Sequence, residues 1–368
     1  MSRQPLKIVA VGDLAFNGRY HRLLDRHGPE YPLGEVLPHW CDADLRFGNL
    51  ESPLTARPKV TPSKLTLRGA PHAIDALQYA RFDFVAVANN HMMDYGPEGL
   101  AETCDKLDVA GIAHAGAGDN NGAACAPAIL NHNGHTIGLL AYCDVWQVSP
   151  LYARERSPGV APLRVSDCVA QIQELRRQVD WVIVQLHWGQ EMAQMPSPEQ
   201  RAWARSLVDA GADLVLGHHP HVLQPAEIVD GVPVFYSLGD FLFSDMFWSG
   251  RNEKDEAFLA KMKLHPLSRK TGWTEIILDK QSPPQVRFRP ASLTRGLAVV
   301  PDDSAKRLDE WETLNSQLNG DGYPRAYEWE CERAKARQDA LDEWCSLWSR
   351  LESKLFGFGL FPNAALGT

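Results

Sequence analysis

Three histidines lie within four residues in the segment Gly217-His218-His219-Pro220-His221, directly after the strand-like run 212–216. Neutral imidazole is the commonest protein ligand for divalent transition metals. A strand that ends in a turn holds its last side chains in fixed positions at the edge of a sheet. The spacing and position of this cluster therefore predict a metal site.

Earlier apolar runs of the chain also end in residue types that bind metal ions. Their endings supply carboxylate, amide or imidazole groups, and hydrolases and lyases commonly hold divalent metals with such groups at the carboxyl edge of a sheet. This mixed oxygen and nitrogen set suits Zn, Mn or Fe, and it suits Ca if further oxygens and waters join. The predicted ligands are Asp13, Glu51, Asn90, His187, His219 and His221.

His91 is predicted to move protons and not to bind a metal. It follows Asn90, and Asp94 lies three residues further on, where its carboxylate can orient an imidazole that acts as an acid or a base. The alternative is a core histidine whose ring is hydrogen-bonded to backbone. The number of candidate ligands at neighbouring strand ends favours the catalytic interpretation.

Composition excludes several classes of function. The net charge of −9 and the pI near 5.8 argue against a duplex nucleic-acid binder, which needs a basic surface. The seven cysteines contain no C-x-x-C pair, which predicts reduced thiols. The apolar run near the start is too short for a signal sequence or a membrane span, so we expect no membrane span and a cytoplasmic location.

The elements that must position these residues alternate between strand-like and helix-like segments from Leu6 to about Ser244, which is typical of a layered α/β domain. A capping box at Ser197 predicts the start of a helix, and Asp230-Gly231 predicts a hairpin turn. Helices are further predicted over Ala73–Arg81, Gly96–Ala110 and Val165–Gln178, and strands over His135–Cys143, Val179–Leu186, Lys261–Leu267, Thr274–Leu278 and Val286–Arg289.

Two domains are expected, a main domain over 1–300 and a helical extension over 301–368 that packs on it. Phe247–Asp255 is polar and is predicted to be a loop near the site. The extension carries a stripe at helical spacing, which predicts a packing helix, with a substrate platform as the alternative. The stripe consists of Leu341, Trp344, Leu347, Trp348, Leu351 and Leu355.

The chain resembles the CapA/PgsA family of poly-γ-glutamate capsule synthesis proteins, which resemble the calcineurin-like metallophosphatases. The resemblance implies an α/β fold, a four-layer-type metallophosphatase-like sandwich of β-sheets flanked by helices. Six motifs in order, between Ile8 and Phe243, carry it. They are Gly12-Asp13, Asn49 to Thr55, Ala88 to His91 with Asp94 to Gly96, His187 to Gly189, Gly217 to His221 and Tyr236 to Phe241.

The resemblance also implies roles for single residues. Asp13 and His221 would bind one metal, Glu51 would lie between two, and Asn90, His187 and His219 would complete the second position. His91 would be the proton-transfer residue, with Asp94 beside it, and one of His218 or His219 could be its counterpart in an acid and base pair. Residues predicted to contact substrate are Asn49, Lys64, Arg68, Trp188 and Asp240.

Three positions differ from the residues expected there, so the number of bound metals stays open at one or two. Ala15 stands where a metallophosphatase carries a histidine, Glu51 stands for a bridging aspartate, and Asp240 stands for an asparagine of the family. Lys64 and Arg68 also suit a carboxylate or phosphate, and a solvated surface pair explains them equally well.

Three functions are compatible with these residues. The first is epimerisation, a proton transfer at a Cα next to a carbonyl in a peptide or polyglutamate-type substrate. The second is metal-dependent phosphoester hydrolysis. The third is a non-catalytic accessory protein that binds the polymer or a polymer-synthesis enzyme. The many polar ligand-type residues argue against it, because burying them costs free energy that a pure scaffold need not spend.

Overall fold

The computed structural model describes residues 4–58, 65–145, 151–251, 257–318, 320 and 322–339. Its strands are β1 (Leu6–Leu14), β2 (Leu45–Leu50), β3 (Phe84–Ala86), β4 (Ala113–Ala115), β5 (Ala117–Gly118), β6 (Ala128–His132), β7 (His135–Cys143), β8 (Gly159–Val160), β9 (Trp181–His187), β10 (Leu214–His218), β11 (Ala226–Val229), β12 (Val232–Phe235), β13 (Asp240–Leu242), β14 (Met246–Arg251), β15 (Ala257–Met262), β16 (Lys270–Asp279), β17 (Ser282–Leu293) and β18 (Val299–Pro301).

Helices connect and cover these strands. Two short 3-10 turns, Leu37–Trp40 and Pro71–Ala73, accompany them. The helices are α1 (Tyr20–His27), α2 (Ile74–Tyr79), α3 (Gly96–Ala110), α4 (Asn121–Ala124), α5 (Val165–Leu175), α6 (Pro198–Asp209), α7 (Ala305–Leu318) and α8 (323–339).

Two large sheets form the framework. The first has eight strands in the order β18-β17-β16-β1-β2-β3-β4, with β13 paired to β1. The second has six strands in the order β11-β12-β10-β9-β7-β6. Strands β1 to β4 are mutually parallel, and so are β7, β9, β10 and β12. The carboxyl ends of parallel strands share one edge of a sheet, which is where α/β proteins place ligands.

Each face of the second sheet packs against a different layer. On β9, Trp181 and Ile183 belong to the core cluster that also contains the first sheet. Val182 and Val184 belong to a second cluster with residues of α5 and α6. This alternation follows from the two-residue period of a strand. The predicted architecture, β-sheets flanked by helices, is therefore confirmed.

The segment Tyr236–Asp240 joins the two sheets at their carboxyl edge. Leu238 donates its backbone N–H to the carbonyl of Gly217 in β10 (3.1 Å), and Asp13 in β1 donates its N–H to the carbonyl of Gly239 (2.9 Å). A Cβ on Gly12 would lie 1.8 Å from the Gly239 carbonyl oxygen, and one on Gly217 would lie 2.0 Å from that of Tyr236. Only glycine allows this approach.

Most local signals of the sequence are confirmed. Helix α3 spans the predicted residues, and Gly111 ends it in the left-handed conformation with φ of 71°. The Ser197 capping box is present in full. Asp230 and Gly231, with φ of 46° and 86°, form the turn between β11 and β12.

Two predictions after Ser244 were wrong. The stretch predicted as a loop over Phe247–Asp255 begins inside a strand, because β14 pairs antiparallel with β15. The strand predicted over Lys261–Leu267 ends earlier, since β15 spans Ala257–Met262. Whether such a stretch forms a strand depends on pairing with a partner strand. The local pattern of polar residues and glycine does not indicate that pairing.

The C-terminal helices lie against the main domain. Trp311 of α7 stacks on Phe288 with ring centroids 4.2 Å apart, and Tyr323 of α8 joins the second core cluster. The predicted Trp and Leu stripe between residues 341 and 355 lies outside the described residues. The boundary at residue 300 stays a prediction. Among the described residues, no helix combines the length and apolar character needed to cross a bilayer.

Substituting Gly12→Ala should destabilise the protein by about 3 kcal/mol or more, because the new methyl group meets a backbone carbonyl that holds both sheets. The measurement is chemical unfolding monitored by circular dichroism. Gly134→Ala is the control, since its turn has φ of 80° but no atom within 4 Å of the added methyl group, so it should cost only about 1 kcal/mol. Equal losses in both variants would contradict the proposed close approach.

Candidate metal centre

The carboxyl edge of the two sheets collects the predicted site residues. Asp13 lies near the end of β1 and is paired in register with Asn49 of β2 and with Asp240 of β13. His187 ends β9 and is paired with His218, which ends β10. The remaining residues follow strands in turns, and they are Glu51, Asn90, His91, Asp94, His219 and His221.

Glu51 is at the centre of this group. Its side chain is 0% exposed, and neither carboxylate oxygen has a hydrogen-bond donor among the residues that the structure describes. Three imidazole nitrogens surround Oε1, at 3.7 Å (His221), 3.9 Å (His187) and 4.0 Å (His91). Burial raises the pKa of Glu51 well above its ordinary value, and the charge of His221 offsets only part of this effect. A carboxyl group buried in this way is stable as an anion only beside a cation, and otherwise it takes up a proton.

One possible cation position lies between Asp13, His221 and Asp240, whose candidate ligand atoms are all within 4.8 Å of one another. His221 donates its Nδ1 proton to Asp240 Oδ1 (2.9 Å), which leaves Nε2 facing Glu51. Burial raises the pKa of Asp240 to about 7 despite this bond. Burial would also raise the pKa of Asp13, but His218 and His221 hold it below its ordinary value.

A second position lies beside His187 and Asn90. The side-chain amide of Asn49 donates to His187 Nδ1 (3.3 Å), so the ring proton is on Nε2, 2.8 Å from Asn90 Oδ1. Both of these atoms are of metal-ligand type, and a shift of the ring proton from Nε2 to Nδ1 would leave two lone pairs directed at one point. Burial, with the neighbouring imidazoles, lowers the pKa of His187 well below its ordinary value.

His219 lies next to this second position, with its ring centroid 4.7 Å from that of His187. Burial lowers the pKa of His219 to about 4, so both rings are neutral, the form that binds metal ions. The φ angles of His219 (96°) and His221 (59°) are positive, which is rare for residues other than glycine. Strain of about 1–3 kcal/mol per residue is typical of ligand-binding turns.

His91 and Asp94 form a hydrogen-bonded pair at the edge of the centre. Asp94 Oδ2 accepts from His91 Nδ1 (2.7 Å) and from the backbone N–H of Leu67 (2.8 Å). A carboxylate can only accept these bonds, so Nδ1 carries the proton and Nε2 has the free lone pair. His91 is 7% exposed, and its Nε2 faces Glu51.

Other predicted site residues have different surroundings. His218 lies behind Asp13, with Nε2 3.1 Å from Gln185 Oε1 and Nδ1 3.3 Å from Asp13 Oδ1. Trp188 is fully buried in the second core cluster and donates Nε1–H to the Tyr236 carbonyl (3.0 Å). Neither placement leaves an open face for substrate. Their roles in proton transfer and substrate contact stay predictions that this geometry does not support.

The remaining substrate-contact predictions are placed less centrally. The Arg68 guanidinium lies over the Tyr95 ring, 5.7 Å from its centroid, close in the chain to Leu67. Asn49 bridges Asp13 (2.8 Å) and His187, so it orients two ligands. Lys64 lies outside the described residues.

Glu191 is a candidate site residue that the sequence pattern did not indicate. Its carboxylate lies with the imidazoles of His219 and His221 in a group whose candidate ligand atoms are within 4.8 Å of one another. Burial would raise the pKa of Glu191, but the charges of His219, His221 and His91 lower it. The available signal was an acidic residue four positions after His187, in the turn that follows β9.

The donor set fits a divalent cation. Buried carboxylate oxygens without donors and neutral imidazoles from separate strands are the ligands that Zn, Mn and Fe prefer, and the many oxygens also allow Ca. Two candidate ligand groups share His221, one with Asp13 and Asp240 and the other with Glu191 and His219, so the residues fit one ion or two.

Comparisons with known proteins show which family the chain is similar to. Residues 7–245 match the family model described as bacterial capsule synthesis protein PGA_cap. The capsule biosynthesis protein CapA of Bacillus anthracis is 32% identical over 264 residues, 70% of this chain and 63% of that protein. The PGA biosynthesis protein CapA of Bacillus subtilis (strain 168) is 34% identical over 242 residues, 65% of this chain and 63% of that protein. The matches thus span less than two thirds of each relative.

The chain also matches the solved structure of the Haemophilus influenzae NAD nucleotidase (NadN). It is 12% identical, with a TM-score of 0.41, and the match covers 93% of this chain and 61% of that chain.

We expect purified protein to bind about one or two equivalents of Mn²⁺ or Zn²⁺, and His187→Ala to lower the affinity at least about 10-fold, because it removes a ligand. His219→Ala should do the same where two equivalents bind. Elemental analysis after dialysis measures this. His114→Ala is the control, since its ring pairs with Asp108 away from the centre. Unchanged binding in both site variants would contradict the metal centre.

Glu51→Gln should have opposite effects with and without metal. Without metal, the variant should be at least as stable as the wild type, because it removes a buried charge. Metal at about 100 times its Kd should stabilise only the wild type, by about 2.7 kcal/mol. Thermal unfolding with and without a chelator measures both effects.

Glu98→Gln serves as the control for Glu51→Gln. Glu98 pairs with Arg57 at the surface (3.0 Å), so its substitution should change stability by less than about 0.5 kcal/mol under both conditions. A large loss of stability in metal-free Glu51→Gln would show that Glu51 stabilises the fold without a cation.

Proposed function

This chain belongs to the bacterial capsule synthesis protein family PGA_cap, and we propose that it is a metal-dependent enzyme that transfers a proton at a Cα of a polyglutamate-type polymer or peptide. The relatives named above are capsule and PGA biosynthesis proteins, which supports a glutamate-containing substrate and a polymer-synthesis enzyme as partner. A cytoplasmic location stays part of this proposal.

The observation that carries the proposal is the His91–Asp94 pair beside the buried carboxylate. Asp94 fixes the proton on Nδ1, so Nε2 is a base whose lone pair faces the centre. Oriented imidazoles of this kind contribute about 10²–10⁴-fold to proton-transfer reactions. His91 is also slightly exposed, as a group that contacts substrate must be.

The chemistry requires a proton to leave one face of the Cα and another to arrive on the opposite face. His91 Nε2 takes the first proton, and the electron pair of the broken C–H bond delocalises into the adjacent carbonyl. A bound divalent cation would supply positive charge to stabilise the oxygen that becomes negative. A proton delivered to the opposite face forms the new C–H bond.

The second proton-transfer group depends on the number of cations. His218 has both ring nitrogens directed at protein atoms, so we do not assign it this role. His219 Nδ1 has no hydrogen-bond partner in the described part of the chain. With one bound cation, the His219 ring is free to exchange a proton with substrate, whereas with two cations it is a ligand.

Anionic substrates need a local positive group, because the chain carries a net charge of −9. Arg68 is half-buried and adjoins Leu67, which binds Asp94. We therefore propose that Arg68 binds a substrate carboxylate, as the sequence also allows.

Phosphoester hydrolysis is the second candidate, and the position of Asp240 favours it. Ala15 offers no ligand, but Asp240 is in register with Asp13 and supplies a carboxylate on that side of the centre. Two candidate ligand groups that share His221, one with Asp13 and Asp240 and the other with Glu191 and His219, suit the paired cations that hydrolyse phosphoesters. A non-catalytic accessory role is the third candidate and predicts neither activity.

Substituting His91→Asn should lower solvent-deuterium incorporation into a γ-linked oligoglutamate by about 10²–10⁴-fold, because the base is lost. Mass spectrometry of the peptide after incubation in D₂O measures the exchange. Asp94→Asn should lower it less, because the base remains and only its orientation is lost.

The control is His72→Asn, which disrupts a comparable His–Asp pair at the surface, where His72 Nε2 lies 3.1 Å from Asp25. It should leave exchange unchanged. Hydrolysis of an aryl phosphate by the wild type, without deuterium exchange, would replace the proposal with the phosphoesterase. Absence of both activities in metal-loaded protein would favour the accessory role.

A further inference from the structure

Helix α8 (323–339) lies against the turn that follows β9. The Gln194 backbone N–H donates to Glu330 Oε1 (3.1 Å), and the Arg337 guanidinium donates to the Met192 carbonyl (2.7 Å). Arg337 also forms an ion pair with Glu330. These contacts tie one face of α8 to the segment that carries Glu191.

An apolar contact supports the same attachment. Ala334 lies between Glu330 and Arg337 on α8, is 1% exposed, and packs in a small cluster with Met192, Ala193 and Val222. Residues spaced three or four apart share one side of a helix. The face of α8 that contains these three residues is therefore the one turned to the segment 192–194.

The same segment is bonded to the histidine turn. Met192 has a φ of 63° and donates its backbone N–H to the carbonyl of Pro220 (2.9 Å), between His219 and His221. A continuous series of contacts therefore runs from Arg337 through Met192 to the turn that presents both imidazoles. Glu191, adjacent to Met192, is the carboxylate that this series brings to them.

We infer that Glu191 is a further carboxylate ligand of the metal centre, and that Arg337 and Glu330 of α8 hold the segment that presents it. The inference rests on the metal centre of the proposed function. Helix α8 lies beyond residue 245, where the family match ends, so this attachment belongs to the C-terminal part of this chain. Arg337 is a positioning residue, because it acts through Met192.

The test is a Mn²⁺ titration in which the electron paramagnetic resonance signal of the free ion measures binding. Glu191→Gln preserves the shape of the side chain and should lower the affinity at least about 10-fold. Arg337→Ala should lower it by a similar factor. The double variant should bind no more weakly than the weaker single variant, because both substitutions remove one interaction.

Arg333→Ala is the matched control on the same helix. Arg333 is exposed and lies over the Trp329 ring, 4.0 Å from its centroid, so its substitution should leave the affinity within about twofold. Far-ultraviolet circular dichroism checks that each variant is folded. Glu191→Gln tests the ligand role without altering α8.

Different outcomes overturn different statements. Wild-type affinity in Glu191→Gln overturns the ligand role, and additive losses in the double variant overturn the positioning by α8. If the wild type binds neither Mn²⁺ nor Zn²⁺, the metal centre of the proposed function fails together with this inference. Normal binding by the wild type and by Glu191→Gln overturns this inference alone.

Discussion

The buried carboxylate of Glu51 is the group on which the arrangement of the site depends. A carboxylate at the junction of two sheets, with no donor among the described residues and three imidazoles around one oxygen, is costly unless positive charge lies beside it. The polar residues at the neighbouring strand ends are what a cation needs as ligands. Burial, with the neighbouring imidazoles, lowers the pKa of His187, whereas Glu51 and Asp240 raise that of His221 despite its burial.

The geometry of the centre follows from backbone contacts between the sheets. Segment Tyr236–Asp240 contacts Gly12 in one sheet and Gly217 in the other, and two hydrogen bonds fix it there. Asp13 follows Gly12 and His218 follows Gly217, so this contact sets the separation of the two halves of the site. Ligands on strands are held more rigidly than ligands on loops. The candidate ligands His219 and His221 lie on a loop and have strained backbone, stabilised by the bond from His219 N–H to Asp13 (3.2 Å).

The candidate functions differ in how many cations the same side chains hold. With one cation, His219 and His91 are both free to exchange protons with substrate. With two, the imidazoles become ligands and only His91 remains. Asp240 favours the binding of a second cation, because it offers a carboxylate beside Asp13, whereas Ala15 offers no metal ligand. Glu191 offers another carboxylate beside His219 and His221. Helix α8 contacts the segment that carries Glu191, so the C-terminal helices could affect the number of cations bound.

The sequence by itself determined the residue types at the strand ends, the capping box at Ser197 and the Asp230-Gly231 turn, because these signals are local and follow from side-chain chemistry and backbone conformation. It also indicated the ligand-type residues that the structure brings together. Only the tertiary structure decided that β14 pairs with β15, that Trp188 and His218 are enclosed by protein, and that Glu191 faces the histidines. These features depend on contacts between segments distant in the chain, and the spacing of residues carries no record of them.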